Sequence, residues 1–228
     1  MSSLTKAIAA TLFPRYSRSV DLVNNNAKLQ RWIKAVPAAV PRLSDRQALY
    51  SYLAEHMLKE CAIDYLEFGV YRGDSIRAWL GLNAHKESRF IGFDSFEGLP
   101  EHWSGSFGAG AFDVGGNIPD ITDNRVTFVK GWFQRTVPNF LRQFRPRSQL
   151  VIHNDSDLYS STLYTLTQLD SIMVPGTIVI FDEFNSPLHE FRAFNDYLSS
   201  FMRTARTLAM TQGGAGKACA DQIAFQFE

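Results

Sequence analysis

The chain has 228 residues, with 23 basic and 23 acidic side chains that balance to a net charge of zero at pH 7. This balance does not favour nucleic acid as a partner, and no apolar run approaches the roughly 18–20 residues of a membrane-spanning helix. The two cysteines, Cys61 and Cys219, lack metal-binding spacing and are expected to be reduced thiols. The composition therefore predicts a globular cytoplasmic protein that binds neither nucleic acid nor membranes.

The N-terminal segment differs in charge from the rest of the chain. Residues 1–44 contain seven basic residues and one acidic residue, whereas residues 45–228 contain 16 basic and 22 acidic residues. We predict a basic extension followed by one main domain. The extension would pack on the acidic domain or on a second subunit of a homo-oligomer, or help to bind an anionic substrate. A targeting segment is the third alternative, which Pro14, Pro37 and Pro41 disfavour because they interrupt any long amphipathic helix.

The elements follow in chain order. A short helix is predicted over residues 4–12, the asparagines at 24–26 indicate irregular linkage, and Ser44 would cap a helix that runs to about Glu60. Strands and helices alternate after that. The predicted strands are 63–69, 89–94, 126–130, 149–155, 177–182, 206–211 and 222–227. The predicted helices between them are 74–82, 134–144, 160–172 and 188–202.

Five strand–helix units followed by a hairpin predict an α/β fold with a doubly wound, Rossmann-like sheet. The sheet would have seven strands, mostly parallel, with an antiparallel C-terminal hairpin. This arrangement resembles that of class I S-adenosylmethionine (SAM) methyltransferases, because the final hairpin is absent from most nucleotide-binding α/β folds.

Acidic residues follow two of the predicted strands. Asp155 and Asp157 come after one apolar run, and Asp182 and Glu183 come after the next. Open α/β sheets bind ligands at the carboxyl ends of their strands, and four acids there would repel one another without a positive charge between them. Oxygen ligands suit a hard cation, so the pattern predicts an Mg²⁺ site. Helix caps and hydrogen-bonded acids without a metal are the alternative.

A glycine turn joins the first strand of the main domain to its helix. It contains Glu67, Gly69, Tyr71, Gly73 and Ser75. The two glycines would allow a tight turn and a close approach to a ligand. The turn is neither a dinucleotide fingerprint nor a phosphate loop, and its acid suits a ligand that carries an ammonium or sulfonium group. A purely structural turn is the alternative.

Two later positions add to this candidate ligand site. Asp94, beside Ser95, ends the second strand and is placed to accept ribose hydroxyls, although it could also cap a helix. Trp132 and Phe133 follow the third strand, where they would offer aromatic surface to an adenine or pack in the core.

Several motifs together resemble the macrocin O-methyltransferase family of SAM- and metal-dependent sugar O-methyltransferases. They cover about residues 63–200 and more distantly resemble catechol O-methyltransferase. The motifs are EFGVYRGDS from Glu67, FDSFEGLP from Phe93, KGWFQ from Lys130, DSDLYSST from Asp155, VPG from Val174 and FDEF from Phe181.

The resemblance implies a set of site residues. Asp155, Asp182 and Glu183 would hold Mg²⁺, and Asp157 would be a neighbouring acid or a helix N-cap. SAM would bind and leave as S-adenosylhomocysteine. The residues expected to bind it are Glu67, Gly69, Tyr71, Gly73, Ser75, Asp94, Ser95, Trp132, Phe133 and Asp155.

A general base should help to remove the proton of the acceptor hydroxyl. The candidates are Asp155, His153 on the same strand face, and His102 in the segment after the second strand. Catechol O-methyltransferase has a lysine after its fourth-strand acid, which this chain lacks, so base catalysis of that kind is in doubt.

Residues 98–123 form a long glycine-rich segment that contains Trp103, Phe107 and Phe112. Such a segment could close over an acceptor and exclude water, or it could be a loop packed on the surface.

The predicted function is O-methylation of a small hydroxylated acceptor, a sugar or another polyhydroxylated natural product. A metal-independent SAM methyltransferase acting on nitrogen or oxygen and a non-catalytic SAM-binding protein are the alternatives.

Overall fold

The computed structural model describes residues 17–213 and 221–228. The helix predicted over residues 4–12, Cys219 and most of the glycine-rich turn near residue 214 therefore lie outside the described residues. Among those that are described, no helix is both long enough and apolar enough to cross a membrane.

The described chain alternates between strands and helices. The strands are β1 (Arg42–Leu43), β2 (Ile63–Phe68), β3 (Arg89–Asp94), β4 (Val126–Lys130), β5 (Gln149–Asn154), β6 (Ile178–Phe181), β7 (Ala205–Thr211) and β8 (Ile223–Phe227). The α-helices are α1 (Ser17–Ala35), α2 (Arg46–Tyr52), α3 (Asp74–Leu82), α4 (Phe133–Gln143), α5 (Tyr159–Leu169) and α6 (Glu190–Ser200). Helix α2 continues as a π-helix over Leu53–Leu58, and α5 continues as a 3-10 turn over Asp170–Ile172.

One sheet contains all eight strands, in the order β1-β7-β8-β6-β5-β2-β3-β4. Its neighbouring strands are parallel except for β8, which is antiparallel to both β6 and β7. The predicted doubly wound sheet with a C-terminal hairpin is confirmed. The eighth strand, β1, was not predicted, because its two residues are too few to show a hydrophobic period.

The sheet brings the ends of three strands together. Strand β5 lies between β2 and β6, and Asn154 pairs with both Phe68 and Phe181. Strands β2 and β6 are buried along their whole length, as expected for a parallel sheet with helices on both faces. The residues that follow these strands therefore meet at one edge.

Residues 17–35 of the N-terminal extension form a helix, and the predicted irregular linkage at residues 24–26 is wrong. Helix α1 runs through these asparagines, and the Asn25 side chain donates to the Asp21 carbonyl at 2.9 Å. Further along α1, Leu29 is buried and the Trp32 ring lies 5.1 Å from that of Phe184. The apolar face of the helix packs on its own domain, and this packing outweighs the low helix propensity of asparagine.

Helix α2 begins one residue later than predicted. Its N-cap is Asp45, whose carboxylate accepts the Ala48 N–H at 2.9 Å, and Ser44 instead donates its hydroxyl to Asp45. Serine and aspartate are both good caps, so the sequence alone does not separate the two registers. The register makes Arg46 the first residue of the helix.

Candidate active site

A cavity of about 410 Å³ opens at the carboxyl ends of the strands. Its volume lies within the range of small-molecule sites. It is lined by Arg46, Gly69, Tyr71, Asp94, Ser95, Gly98, Leu99, Pro100, Trp103, Phe107, Phe112, Trp132, Phe133, Gln134, Asp155, Ser156, Asp157, Ser161, Asp182 and Glu183. Most of the residues predicted to bind cofactor or metal thus share one cavity.

Glu67 was expected to contact the cofactor, but it does not line the cavity. It is 1% exposed, its carboxylate accepts a hydrogen bond from the Tyr65 hydroxyl, and it lies 3.5 Å from His153 Nδ1. Direct contact of Glu67 with the cofactor stays a prediction. Successive side chains of β2 point to opposite faces of the sheet, and the side chain of residue 67 lies in the layer beneath the cavity.

Gly73 and Ser75 also lie outside the lining of the cavity, and their contact with cofactor stays a prediction. Gly73 is the N-cap of α3 with φ +78°, and a β-carbon there would meet Pro119 at 3.2 Å. Ser75 is buried in the first turn of α3. Both residues fix the start of α3 rather than a ligand.

Gly69 lines the cavity, but it must be glycine because of the neighbouring backbone and not because of a ligand. Its φ is +92°, and a β-carbon would lie 1.8 Å from the Asp155 carbonyl oxygen. The ends of β2 and β5 therefore approach each other through backbone alone, and this contact holds Asp155 at the cavity wall.

The Asp94 carboxylate connects two loops at the cavity. One oxygen accepts the N–H groups of Val70 and Tyr71, both at 2.8 Å, and the other accepts the Phe96 N–H at 2.7 Å. Tyr71 and Phe96 both have positive φ, a costly conformation for side-chain-bearing residues. The carboxylate thus stabilises the strained turns that shape this side of the cavity.

Four acids crowd the opposite wall. Burial, followed by the charge of Asp182, raises the pKa of Asp155 well above its ordinary value. Burial, with the charges of Glu183 and Asp182, raises the pKa of Asp157 to about 7. Such shifts show that the acids disfavour one another's ionisation, and a bound cation would reverse this effect.

Asp157 does not cap α5, so that alternative from the sequence is wrong. The N-cap of the helix is Leu158, and no side chain caps it. Asp157 instead lines the cavity with φ +59°, which is uncommon for a residue other than glycine and recurs at functional sites.

The two carboxylate oxygens of Asp182 have different surroundings. Oδ2 accepts a hydrogen bond from the Arg46 guanidinium, whereas the buried Oδ1 has no hydrogen-bond partner within the described part of the chain and lies 3.9 Å from His153 Nε2. Ligand atoms of His153, Asp155 and Asp182 lie within 4.8 Å of one another. The orphaned oxygen and the nearby Asp155 fit a hard divalent cation.

His153 does not line the cavity, and its role as base stays a prediction. It is fully buried, with Nδ1 2.8 Å from the Tyr65 hydroxyl and Nε2 3.4 Å from that of Tyr50. Although burial alone would lower its pKa, the nearby carboxylates of Asp182 and Glu67 raise the pKa to about 10. His153 is thus held between two carboxylates beneath the cavity.

His102 is exposed and does not line the cavity. Its Nε2 lies 3.3 Å from the Gly105 carbonyl oxygen, within the same loop. The aromatic residues of this loop do line the cavity, and Phe107 stacks on Phe112 at 5.2 Å between ring centroids. The structure thus brings the predicted aromatics to the site but not the histidine.

A family model described as a methyltransferase domain matches residues 66–184, more than half of the chain. The chain belongs to this methyltransferase-domain family. The matched segment begins in β2 and ends just after β6, so it contains both pairs of acids.

Two curated relatives support this membership. One is the 8-demethyl-8-(2,3-dimethoxy-alpha-L-rhamnosyl)-tetracenomycin-C 4'-O-methyltransferase of Streptomyces olivaceus, 31% identical over 57% of this chain and 58% of its own. The other is the demethyldecarbamoylnovobiocin O-methyltransferase of Streptomyces niveus, 30% identical over 53% of this chain and 52% of its own. The chain thus spans about half the length of the curated relatives it matches.

A solved structure shows the same fold. It is that of the O-methyltransferase NovP, which has a TM-score of 0.57 and 23% identity and covers 79% of this chain and 78% of its own.

Two residues near the acids were missed at the sequence level, and both lie outside the matched methyltransferase segment. Arg46 comes from α2, and Glu190 opens α6. Glu190 is fully buried, with one oxygen accepting the Glu183 N–H at 2.9 Å and the other unpartnered among the described residues. Burial and the charges of Asp155 and Asp157 raise its pKa well above the ordinary value.

Proposed function

We propose that this methyltransferase-family protein is a SAM- and Mg²⁺-dependent O-methyltransferase that acts on a hydroxyl of a sugar or another polyhydroxylated natural product. One observation carries the metal dependence: a buried Asp182 oxygen that, among the residues that the structure describes, accepts no hydrogen bond lies close to the Asp155 carboxylate at the carboxyl edge of a methyltransferase sheet. His153 Nε2 lies 3.9 Å from this oxygen, beyond hydrogen-bond distance. A buried charge of this kind is costly unless a cation or a hydrogen bond compensates it.

The cavity has residues suited to each part of SAM. Asp94 lines it, and although its oxygens accept three N–H groups, a carboxylate has about four lone-pair sites and can still accept from a ribose hydroxyl. Trp132 and Phe133 offer aromatic surface to the adenine. Since Glu67, Gly73 and Ser75 do not line the cavity, we assign Gly73 and Ser75 to shaping the turn and Glu67 to holding His153 beneath the cavity.

The metal would be held by Asp155 and Asp182, with Glu183 beside them in the cavity wall. When bound, a divalent ion of this kind lowers the pKa of a coordinated hydroxyl and fixes its oxygen for attack. His153 is better suited to support the ligands from beneath, because it is held between Glu67 and Asp182.

In the reaction, the acceptor oxygen bonds to the methyl carbon of SAM as the carbon–sulfur bond breaks. The hydroxyl proton passes to a carboxylate, and S-adenosylhomocysteine leaves. Asp157 is the best-placed proton acceptor: it lines the cavity, caps no helix, and is not one of the residues whose ligand atoms lie within 4.8 Å of one another. Asp155 is the alternative, as a ligand that also accepts the proton.

The acceptor class is supported by the shape of the cavity and by the relatives. The names of the two curated relatives describe O-methylation of a rhamnosyl tetracenomycin and of a novobiocin precursor. In this chain, the acids lie at one wall and Trp103, Phe107 and Phe112 line another part of the cavity. Aromatic rings suit the apolar face of a sugar or an attached aglycone, while the acids and their ion suit vicinal hydroxyls.

Asp157→Asn tests the assigned proton acceptor in the presence of saturating Mg²⁺ and SAM. We expect kcat to fall by about 10²–10⁴-fold, the usual contribution of a general base, while Mn²⁺ binding changes little. If Mn²⁺ binding is lost together with activity, Asp157 is instead a ligand and this role is wrong.

SAM binding separates the proposal from its alternatives. Isothermal titration calorimetry should show binding of S-adenosylhomocysteine to the wild-type protein and weakened binding to Asp94→Asn. Binding without methyl transfer to any glycoside or catechol would favour a non-catalytic SAM-binding protein. Methyl transfer at full rate in EDTA would favour the metal-independent enzyme.

A further inference from the structure

Arg46 reaches the acid cluster from outside the matched methyltransferase segment. Its guanidinium donates to Asp182 Oδ2, and its side chain is 43% exposed whereas that of Asp182 is 3% exposed. Asp182 is thus buried in the wall of the cavity, whereas Arg46 lines the cavity with much of its side chain exposed to solvent.

The backbone that carries Arg46 is held in place. The Asp45 side chain caps the helix, and Leu49 and Tyr50, one turn along α2, are buried. Any displacement of the guanidinium therefore involves the rotatable bonds of the side chain and leaves α2 where it is. Because the Arg46 side chain is partly exposed, it can move toward solvent.

Arg46 faces the same acids that would hold a divalent ion. Besides Asp182, the charges of Asp155 and Glu183 act favourably on the guanidinium. An ion held by Asp155 and Asp182 would lie within a few ångströms of that group, and like charges at this distance repel strongly in a partly buried site. The acids can therefore be neutralised by the guanidinium or by the ion, but both together are disfavoured.

We propose that Arg46 is the resident counter-cation of Asp182 in the metal-free protein and that a divalent ion displaces it on binding. The Arg46 guanidinium compensates the charge of the buried Asp182 carboxylate while the site holds no metal. The same ion pair competes with metal binding. Arg46 is thus a positioning residue that sets the metal affinity of the site. The inference rests on the metal dependence proposed above.

Competition predicts that removing the guanidinium tightens metal binding. Mn²⁺ is the probe, and free Mn²⁺ is measured by electron paramagnetic resonance during titration of the full chain. Arg46→Gln should lower the Kd for Mn²⁺ by about tenfold relative to wild type. An equal or higher Kd in Arg46→Gln would overturn the inference.

A matched control separates the local ion pair from net charge. Arg206 lies at the start of β7, at the opposite edge of the sheet, and its guanidinium bonds to Gln226 at 2.5 Å. Arg206→Gln removes the same charge and should leave the Kd for Mn²⁺ unchanged. If both variants tighten binding equally, the effect is one of overall charge and the inference fails.

Thermal unfolding gives a readout that does not depend on activity. In EDTA, Arg46→Gln should melt at a lower temperature than wild type, because Asp182 loses its counter-charge. Saturating Mn²⁺ should remove this difference, since the ion then compensates the carboxylate in both proteins. A difference that is the same with and without Mn²⁺ would show that Arg46 stabilises the fold independently of the metal, which contradicts the proposal.

The outcomes also distinguish this inference from the proposed function. If wild type binds Mn²⁺ and Arg46→Gln binds it with the same Kd, the metal site stands and the role of Arg46 is wrong. If neither protein binds Mn²⁺, the proposed metal dependence fails and the inference fails with it.

Discussion

The carbonyl oxygen of Asp155 occupies the position that a side chain on Gly69 would need. A β-carbon at residue 69 would lie 1.8 Å from that oxygen, so the ends of β2 and β5 can meet only with glycine there. Since Asp155 is a proposed metal ligand and Gly69 lines the cofactor cavity, this contact connects the two halves of the site.

Gly69→Ala should therefore destabilise the protein more than positive φ alone explains. Gly176 is a matched control, with φ +96° against +92°, and among the described residues no atom lies within 4 Å of the position that a β-carbon would take there. Gly176→Ala should cost about 1–2 kcal/mol from backbone strain, and Gly69→Ala at least about 1–3 kcal/mol more from overpacking. Urea unfolding measures both, and equal costs would show that the ends of the strands can separate without penalty.

Removing His153 should destabilise the layer beneath the cavity. Its ring lies within 2.8 Å of the Tyr65 hydroxyl and 3.5 Å of a Glu67 carboxylate oxygen. His153→Ala leaves these buried groups without their partner and should cost roughly 3–5 kcal/mol in the free energy of unfolding. His56→Ala, a change at an exposed histidine on the π-helix, is the control and should cost under about 1 kcal/mol.

Two variants of Glu190 separate the effect of its charge from that of the hydrogen bond it accepts. Glu190→Gln keeps an oxygen that can accept the Glu183 N–H but removes a carboxylate from a crowded acidic site. We expect it to leave the stability of the metal-free protein unchanged or to raise it by up to about 1 kcal/mol. Glu190→Ala removes the acceptor as well and should cost about 1–3 kcal/mol. Equal losses in the two variants would contradict this division of roles.

Stability should depend on pH through Asp170, which lies far from the site. Its carboxylate accepts from the Tyr197 hydroxyl at 2.6 Å and from Arg203 Nε at 2.9 Å. Although burial alone would raise its pKa, the hydrogen bonds from Arg203 and Tyr197 lower the pKa below the ordinary value. A lowered pKa in the folded state contributes stability above the unfolded value of about 3.9, which is lost as pH falls through the folded value.

The Asp170→Asn variant should therefore be less stable than wild type by about 1–2 kcal/mol at pH 7. This difference should shrink as the pH falls below about 4. Urea unfolding of both proteins at a series of pH values measures it. A difference that stays constant down to acid pH would mean that the ionised carboxylate is not what stabilises this contact.

The acids of the site could be predicted because the signals are local. An apolar run followed by Asp155 or Asp182 indicates a buried strand that ends in a carboxylate, and parallel strands bring such ends to one edge. The same reasoning predicts Glu67 and His153 at the cavity surface, whereas both lie in the buried layer beneath it. Which face of a strand opens to a cavity depends on the loops above it, and these are not specified by alternation alone.

Other features required the tertiary structure. Arg46 and Glu190 begin helices far apart in sequence, and each looks like an ordinary charged residue of a first helical turn. Only the packing of α2 and α6 at the ends of the strands brings them to the acids. Helix α1 was missed for a related reason: its asparagines disfavour a helix locally, whereas Leu29 and Trp32 are fixed by packing on the domain.

The central claim is that methyl transfer needs a divalent ion held at Asp182. The most direct test measures S-adenosylhomocysteine formation from SAM with a panel of aryl rhamnosides and related glycosides, in Mg²⁺ and in EDTA, for wild type and Asp182→Asn. The account predicts acceptor-dependent turnover in Mg²⁺ that falls by at least about 100-fold in EDTA or in Asp182→Asn, several kcal/mol of transition-state stabilisation. Turnover at the full rate in EDTA, or in Asp182→Asn, would contradict it.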